Sequence, residues 1–313
     1  MAAQLSWLTT CKASQLRAVA VATGINSGGT KPILTSRLLD ALQQDKLDRI
    51  YNGNLKQHRI ISIDMGIRNL AYCRLALPSH WPSPSHPPSA LPVIEAWDRI
   101  AIAQKADVNT FTIDGTPNAA VKESFDPLTY SEHAYFFVNK LLFSSSHPAP
   151  TEILIERQRF RSMGGSAVQE WTLRVNMFEA MLYAVLKTLH SEGKWHGTVH
   201  PVPPSKVRKF WLNDAEVTRE EKGNGKRDKI DLVNRWLNDE EHDFELSEGA
   251  LETACLWRRK RSGGKGKGKD KVAVKMGKLD DLADCLLQGL AWISWEQNKR
   301  TLVRDGLAAL ENI

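Results

Sequence analysis

The stretch Ile60-Ile61-Ser62-Ile63-Asp64-Met65-Gly66-Ile67-Arg68-Asn69 decides how this chain is read. Its apolar run has the composition of a buried strand, and it delivers an aspartate at its end, where a rigid sheet can project the carboxylate. Gly66 permits a close turn beside that carboxylate. An aspartate that merely caps a β-turn explains the same residues, so the rest of the sequence has to choose.

Outward from this strand the period-2 pattern continues. Leu70 to Leu77 and Val93 to Ile100 read as two further strands, and three consecutive strands make a meander. Pro78 to Pro92, rich in serine, proline and histidine, is a loop between them. Beyond it the elements alternate. Tyr130 to Phe143 predicts a helix, Glu152 to Glu156 a short buried strand, Ala167 to His190 a long helix and Thr198 to Val202 another strand. Pro204 to Trp211 can begin a helix, and Leu279 to Trp295 carries the last clear one, with Leu282, Leu286, Leu287 and Leu290 along it. Strands first and mixed crossovers afterwards describe an α/β domain, a sheet with helices packed on it.

Residues 1–45 form a separate small helical unit. Leu16, Val19 and Ala20 mark one helix, Gly24 to Lys31 interrupts it, and Leu34, Leu38, Leu39 and Leu42 supply a second stripe. Two helices of this size need each other, and residues 5 to 8, to make a core. This segment reads as a folded module rather than a cleavable presequence. Residues 46–58 are a connector, and 59–313 the large domain, with flexible insertions near 78–92, 213–228 and 258–277. The last contains the run RRKRSGGKGKGKDK, Arg258 to Lys271, which cannot form a packed core. Lysine and arginine outnumber aspartate and glutamate by 42 to 36, a mild attraction for polyanions. The four cysteines are scattered without a C-x-x-C pair, which argues against a disulfide scaffold or structural zinc. No apolar stretch is long enough to span a bilayer, so no membrane partner is expected.

Three elements offer carboxylates that could share a cation. Asp64 ends the first strand, and Glu156 ends the 152–156 strand. On the last helix Asp281 and Asp284 are three apart and share a face, whereas Asp280 points away from them, either to solvent or to a place just behind the pair where it supports them. Helix capping explains one or two acids there but does not require this pairing. Clustered without a counter-charge, Asp64, Glu156, Asp281 and Asp284 would repel one another, so a working cluster implies divalent cations, with Mg2+ the natural choice and Mn2+ a substitute. Arg157, Gln158 and Arg159 follow Glu156 directly; the arginines either pair with the acid or hold a phosphate while the acid holds metal.

With these residues in view, the chain resembles the mitochondrial Holliday-junction resolvases of fungi, relatives of the bacterial RuvC resolvases in the RNase H-like superfamily. The resemblance rests on IISIDMGIRNLAYC at 60–73, ILIERQRFRS at 153–162 and KLDDLADCLLQG at 278–289, in an order and spacing that fit almost all of 59–297. It implies an RNase H-like mixed sheet flanked by helices and a metal-binding set of Asp64, Glu156, Asp281 and Asp284. It also implies a mitochondrial homodimer that makes paired symmetric cuts in four-way DNA junctions. The N-terminal unit resembles a SAP module, a helix, extended loop and helix that binds DNA.

Basic residues set for phosphate contact are Lys12, Arg17, Lys31 and Arg37 in the module, and Lys206, Arg208 and Lys209 at 204–211. Arg227 and Lys229, and Lys265, Lys267 and Lys269 of the glycine-rich run, complete the set. Surface solubility is the plain alternative for each. An actin-like ATPase would also use a D-x-G-x-x-N strand end, but the second phosphate loop and adenosine segment it needs are missing, so no nucleotide cofactor is expected. A junction-binding protein that does not cut, and an RNase H-like nuclease for hybrids or other branched DNA, both stay open on the sequence.

Overall fold

The computed structural model describes residues 5–43, 58–67, 69–78, 91–100, 102, 126–143, 147–158, 170–212, 225–238, 243–261 and 279–311. Its elements run α1 (Trp7–Thr10), α2 (Ala13–Ala22), α3 (Lys31–Ala41), β1 (Arg59–Asp64), β2 (Leu70–Ala76), β3 (Val93–Ile100), α4 (Pro127–Leu142) and β4 (Glu152–Glu156). They continue with α5 (Glu170–Ser191), β5 (Thr198–Val202), α6 (Pro204–Trp211), α7 (Gly225–Asn238), β6 (Glu245–Leu246), α8 (Glu248–Arg261), α9 (Leu279–Asp305) and a closing 3-10 turn, Gly306–Glu311.

The strands form one mixed sheet in the order β5-β4-β1-β2-β3-β6. β1, β2 and β3 are the antiparallel meander expected from the sequence, whereas β4 joins β1 in parallel and β5 joins β4 in parallel. Strand alternation then sorts side chains onto two cores. Ile61, Ile63, Ile153 and Ile155 face α4 and α5, packing with Phe137, Phe178 and Leu182. Ile60 and Leu154 face the other way, with Trp97, Trp257 and Leu286 among the residues from β3, α8 and α9 that cover them. By the same period of two, Ser62, Asp64 and Glu156 belong to the α9 side of the sheet.

α9 lies across that side, buried along most of the stretch from Leu279 to Glu296. Gly289 is where it comes closest: a Cβ there would sit 2.7 Å from Leu75 Cδ1 and 3.3 Å from Ser62 Cβ. Past Trp295 the helix loses its apolar stripe in the sequence, which predicts an end there. It runs on to Asp305 because Leu302 and Val303 enter a third core with Leu5, Leu8, Leu16, Val19, Leu34, Leu38 and Leu42. The N-terminal helices therefore pack on the far half of α9, with Leu5 and Leu8 contributing as their small size demands.

Two loop expectations need correction. Residues 225–228 begin α7, and 258–261 end α8. Charge density misled the reading of the latter, because Ala250, Ala254 and Trp257 supply a buried face at helical spacing. Trp257 stacks on Trp97 with ring centroids 5.4 Å apart. Arg258, the first residue of the basic run, donates from Nε to the Leu237 carbonyl at 3.0 Å and so closes the end of α7.

Candidate active site

Asp64 is the last residue of β1 and is buried. Its neighbour is set by register: β1 and β4 pair in parallel with Ile63 opposite Ile155, so the next step brings Asp64 beside Glu156. The two carboxyls share a side-chain hydrogen bond. Burial, that bond, and the charges of Glu156, Asp284 and Asp281 together hold the Asp64 carboxyl well above the usual carboxylate range. Acids from β1, β4 and α9 thus meet at one end of the sheet.

What aims α9 is Gln288. On a helix, 281, 284 and 288 fall on one face. Gln288 Nε2 donates to Ser62 Oγ at 3.0 Å, to the Ile63 carbonyl at 3.2 Å and, more weakly, to the Leu154 carbonyl at 3.4 Å. One buried amide therefore ties α9 to both strands that carry acids, and turns the Asp281–Asp284 face toward them. Trp97 Nε1 adds a second tie, donating to the Leu282 carbonyl at 3.0 Å.

Lysines of α7 supply counter-charge. Lys229 Nζ lies 2.5 Å from Asp284 Oδ1, and Lys226 Nζ lies 2.6 Å from Asp280 Oδ2. Asp284 still sits above its ordinary pKa, because burial outweighs Lys229 and the charges of Glu156 and Asp280 oppose it too. Of the two readings of Asp280, solvent-facing or supporting the pair from behind, the structure favours the second: it pairs with Lys226 of α7, is only 14% exposed, and its charge acts on Asp284. Lys229, expected as an outward phosphate contact, is turned into the acid cluster. Arg227 is exposed and forms an ion pair with Asp231 at 3.7 Å.

Glu179 of α5 joins this edge and was not anticipated. Its Oε2 accepts from the Gln158 backbone N–H at 3.3 Å, and its carboxyl is raised by burial, against the pull of Gln158 and Arg157, and by Glu156. The sequence offers no signal for Glu179, a polar residue within a long amphipathic helix. Gln288 was equally silent, since a buried glutamine amid leucines looks like any helix position. Exposed Arg157 and half-buried Gln158 stand at the rim after β4.

Among the described residues, no three His, Cys, Asp or Glu side chains are already gathered in a geometry that could hold an ion. The donor set nevertheless fits a hard divalent cation: four carboxyls, rigidly mounted, within electrostatic reach of one another and short of counter-charge. In this arrangement Lys229 engages Asp284 and Glu156 engages Asp64.

The other basic candidates divide by position. Arg159, Lys265, Lys267 and Lys269 lie outside the described residues. Lys12, Arg17 and Lys31 are exposed on the N-terminal helices, while Arg37 turns back to donate to the Asn26 and Gly28 carbonyls at 2.6 and 2.9 Å. Arg208 lies against Gly225 at the start of α7, its Cζ only 3.3 Å from where a Cβ would stand, so it packs inward. Lys206 and Lys209 face the N-terminal helices.

Residues 60–302 match the family described as mitochondrial resolvase Ydc2 / RNA splicing MRS1. The chain is 26% identical over 299 residues to the mitochondrial cruciform cutting endonuclease 1 of Schizosaccharomyces pombe, covering 92% of this chain and 94% of that protein. The protein of the same name from Saccharomyces cerevisiae is 25% identical over 319 residues, covering 93% and 84%. The crystal structure of the yeast mitochondrial Holliday junction resolvase Ydc2 superposes with a TM-score of 0.57 at 23% identity, over 94% of this chain and 98% of that one. That likeness is one of fold, and it agrees with the mixed sheet and its flanking helices.

Proposed function

The chain belongs to the mitochondrial resolvase Ydc2 / RNA splicing MRS1 family, and from that premise we propose that it is a metal-dependent endonuclease that resolves four-way DNA junctions by paired, symmetric phosphodiester hydrolysis. The family and both relatives are mitochondrial, and so is this chain. Membership alone does not choose between cutting and another role, since the family description spans a resolvase and an RNA-splicing protein. The observation that carries the choice is the meeting of Asp64, Glu156 and Asp284, with Asp281 close by, at one sheet end. A protein that only binds nucleic acid has no use for buried acids that repel both one another and a phosphate backbone.

Asp64, Glu156, Asp281 and Asp284 would hold Mg2+, with Mn2+ as substitute. When bound, a pair of such ions supplies an activated attacking water and charge stabilisation for the departing 3'-oxygen. The protein's own work is positional. β1 and β4 fix Asp64 and Glu156 on adjacent strands, Gln288 sets the α9 acids against them, and Lys229 holds Asp284 in place. Arg157, with Gln158 beside it, stands where the scissile strand would enter and offers a cation to its phosphate.

Two cuts on a two-fold symmetric junction call for two related active sites, and hence for a homodimer. Leu128, Tyr135, Phe136 and Phe143 are exposed at 68, 58, 70 and 51%, and Trp171 and Leu173 of α5 lie exposed as well. Leu128, Phe136 and Phe143 follow one helical stripe on α4 and its end, suited to an isologous seam. The N-terminal helices, with their extended 24–30 loop and SAP-like sequence, are assigned to DNA. The test of the whole reading is strand scission. In magnesium the parent cuts a four-way junction, and Asp64→Asn binds it without cutting; equal cutting by both would remove Asp64 from the chemistry.

A further inference from the structure

α2 ends at a turn that the rest of the molecule holds tightly. Gly24 has φ +66°, its N–H donates to the Val21 carbonyl at 3.2 Å, and the Ile25 N–H donates to the Ala20 carbonyl at 2.7 Å. A Cβ at 24 would lie 2.3 Å from Trp295 of α9, so the turn rests directly on that indole. Asn298 Nδ2, one turn further along α9, donates to the Ala22 carbonyl at 2.7 Å. Arg37 then shapes the loop that follows through its two carbonyl bonds.

Opposite this loop stands α6, and the two enclose a crevice of about 130 Å3 lined by Asn26, Ser27, Ser205, Lys206 and Lys209. Lys209 Nζ reaches within 3.4 Å of Ser27 Oγ. Lys206 is half-buried, and its ammonium is held below its ordinary pKa first by burial and then by the charges of Lys299 and Arg37. Lys299 is paired with Glu296 at 2.5 Å. Among the described residues neither Lys206 nor Lys209 forms an ion pair with a carboxylate. Val21, Ile25 and Pro203 line the crevice as well, and two lysines without an acid of their own, with the Ser27 and Ser205 hydroxyls in the same lining, suit a polyanion with hydrogen-bond acceptors. The space exceeds the ~30 Å3 share of one water several-fold, enough for a phosphate group.

We infer that this crevice, built jointly by the 24–28 loop and α6, binds a backbone phosphodiester of a DNA arm at a fixed distance from the cut. The inference rests on the nuclease reading for its substrate. α9 is the ruler: it carries Asp284 near one end and Trp295 beneath the Gly24 turn, a rise of roughly 16 Å at ~1.5 Å per residue. At ~3.4 Å per step of a strand this is about five nucleotides.

The experiment uses the full chain with Lys206→Gln and Lys209→Gln combined. Junction affinity, measured in EDTA across a salt series, should fall, with the log–log salt slope smaller by about 0.9 for each phosphate no longer neutralised. The melting temperature should stay at the parent's, since both side chains are replaced by polar ones of similar length. Arg37→Lys, which keeps the charge but frees the loop, should weaken the parent and add little to the double variant. Neutral methylphosphonates placed roughly four to six steps from the cut should weaken the parent but not the variant. An unchanged slope while the parent still cuts would overturn the crevice and leave the nuclease reading intact, whereas a parent that binds with the expected slope and never cuts would sink only the latter. Strict additivity with Arg37→Lys would refute the joint site. Stabilisation by inorganic phosphate with no change in the junction slope would assign the crevice to the free anion and overturn the DNA assignment.

Discussion

Replacing Gln288 with methionine removes one amide from the interior and little volume. Gln288 is 3% exposed, and its Nε2 serves Ser62 and Ile63 of β1 and Leu154 of β4. The carbonyls keep their capacity for sheet bonds, but the buried Ser62 hydroxyl loses its donor. An unmet buried polar group costs about 1–3 kcal/mol, so the variant should lose about 2 kcal/mol, which lowers the melting temperature by roughly 3–4 °C. The larger effect is expected in catalysis. Gln288 lies one helical turn from Asp284 and holds that face against the strands, and a displacement of about 1 Å at reacting groups costs on the order of 100-fold in rate. Single-turnover cutting of a four-way junction at saturating protein, well below the melting temperature, reads this directly. Leu189→Ala provides the control, since Leu189 is buried in the opposite core and its truncation costs a comparable or larger amount, about 2–5 kcal/mol. Destabilisation by both variants with an undiminished cutting rate in Gln288→Met would refute the argument that this amide registers the acids.

Lys229→Met should leave Asp284 without its cation, lowering stability in EDTA by about 1–3 kcal/mol and recovering part of it in magnesium; equal losses in both would mean that Lys229 supports packing alone. His58, buried beside Arg300, has its pKa lowered by burial and by that charge. The unfolded chain therefore binds a proton that the fold does not, so stability is full above the ordinary histidine pKa near 6.5 and is lost as pH falls below it. His58→Gln should show a smaller decline in melting temperature between pH 7 and pH 5 than the parent, and superimposable declines would contradict this. Phe136→Glu should shift the sedimentation of the protein to that of a monomer and uncouple the paired cuts into single nicks, while a dimer that survives would place the seam elsewhere.

How much of this was legible beforehand follows the range of the forces involved. Strand limits at 93–100, 152–156 and 198–202 were readable because β-branched and apolar runs declare themselves locally. The meander was readable from three strand patterns in succession, although a long proline- and serine-rich stretch of sequence separates the second from the third. The four acids stood out because each ends or begins an apolar element. Their mutual approach depends on β1–β4 parallel pairing across ninety residues of chain, and no local pattern states that register. A lysine on an amphipathic helix reads as a phosphate contact; Lys229 instead stands beside the buried Leu232 and Val233, at the edge of the α7 face that packs on α9, and meets Asp284. The far half of α9 carries Gln297, Asn298, Lys299 and Arg300 in succession and looks like a frayed end until the N-terminal helices cover Leu302 and Val303. Charge likewise hid the end of α8, whose buried face lies upstream of Arg258.

The central claim is that acids from β1, β4 and α9 form one metal-dependent cutting site for junction DNA. It is tested most directly by incubating the protein with an immobile four-way junction in magnesium, beside linear duplex and an RNA/DNA hybrid, and mapping the breaks on every strand. The account predicts symmetric nicks on two opposing strands of the junction, made by the parent and by neither Asp64→Asn nor Asp284→Asn, both of which still bind. Tight binding by the parent with no strand broken in magnesium or manganese would contradict it.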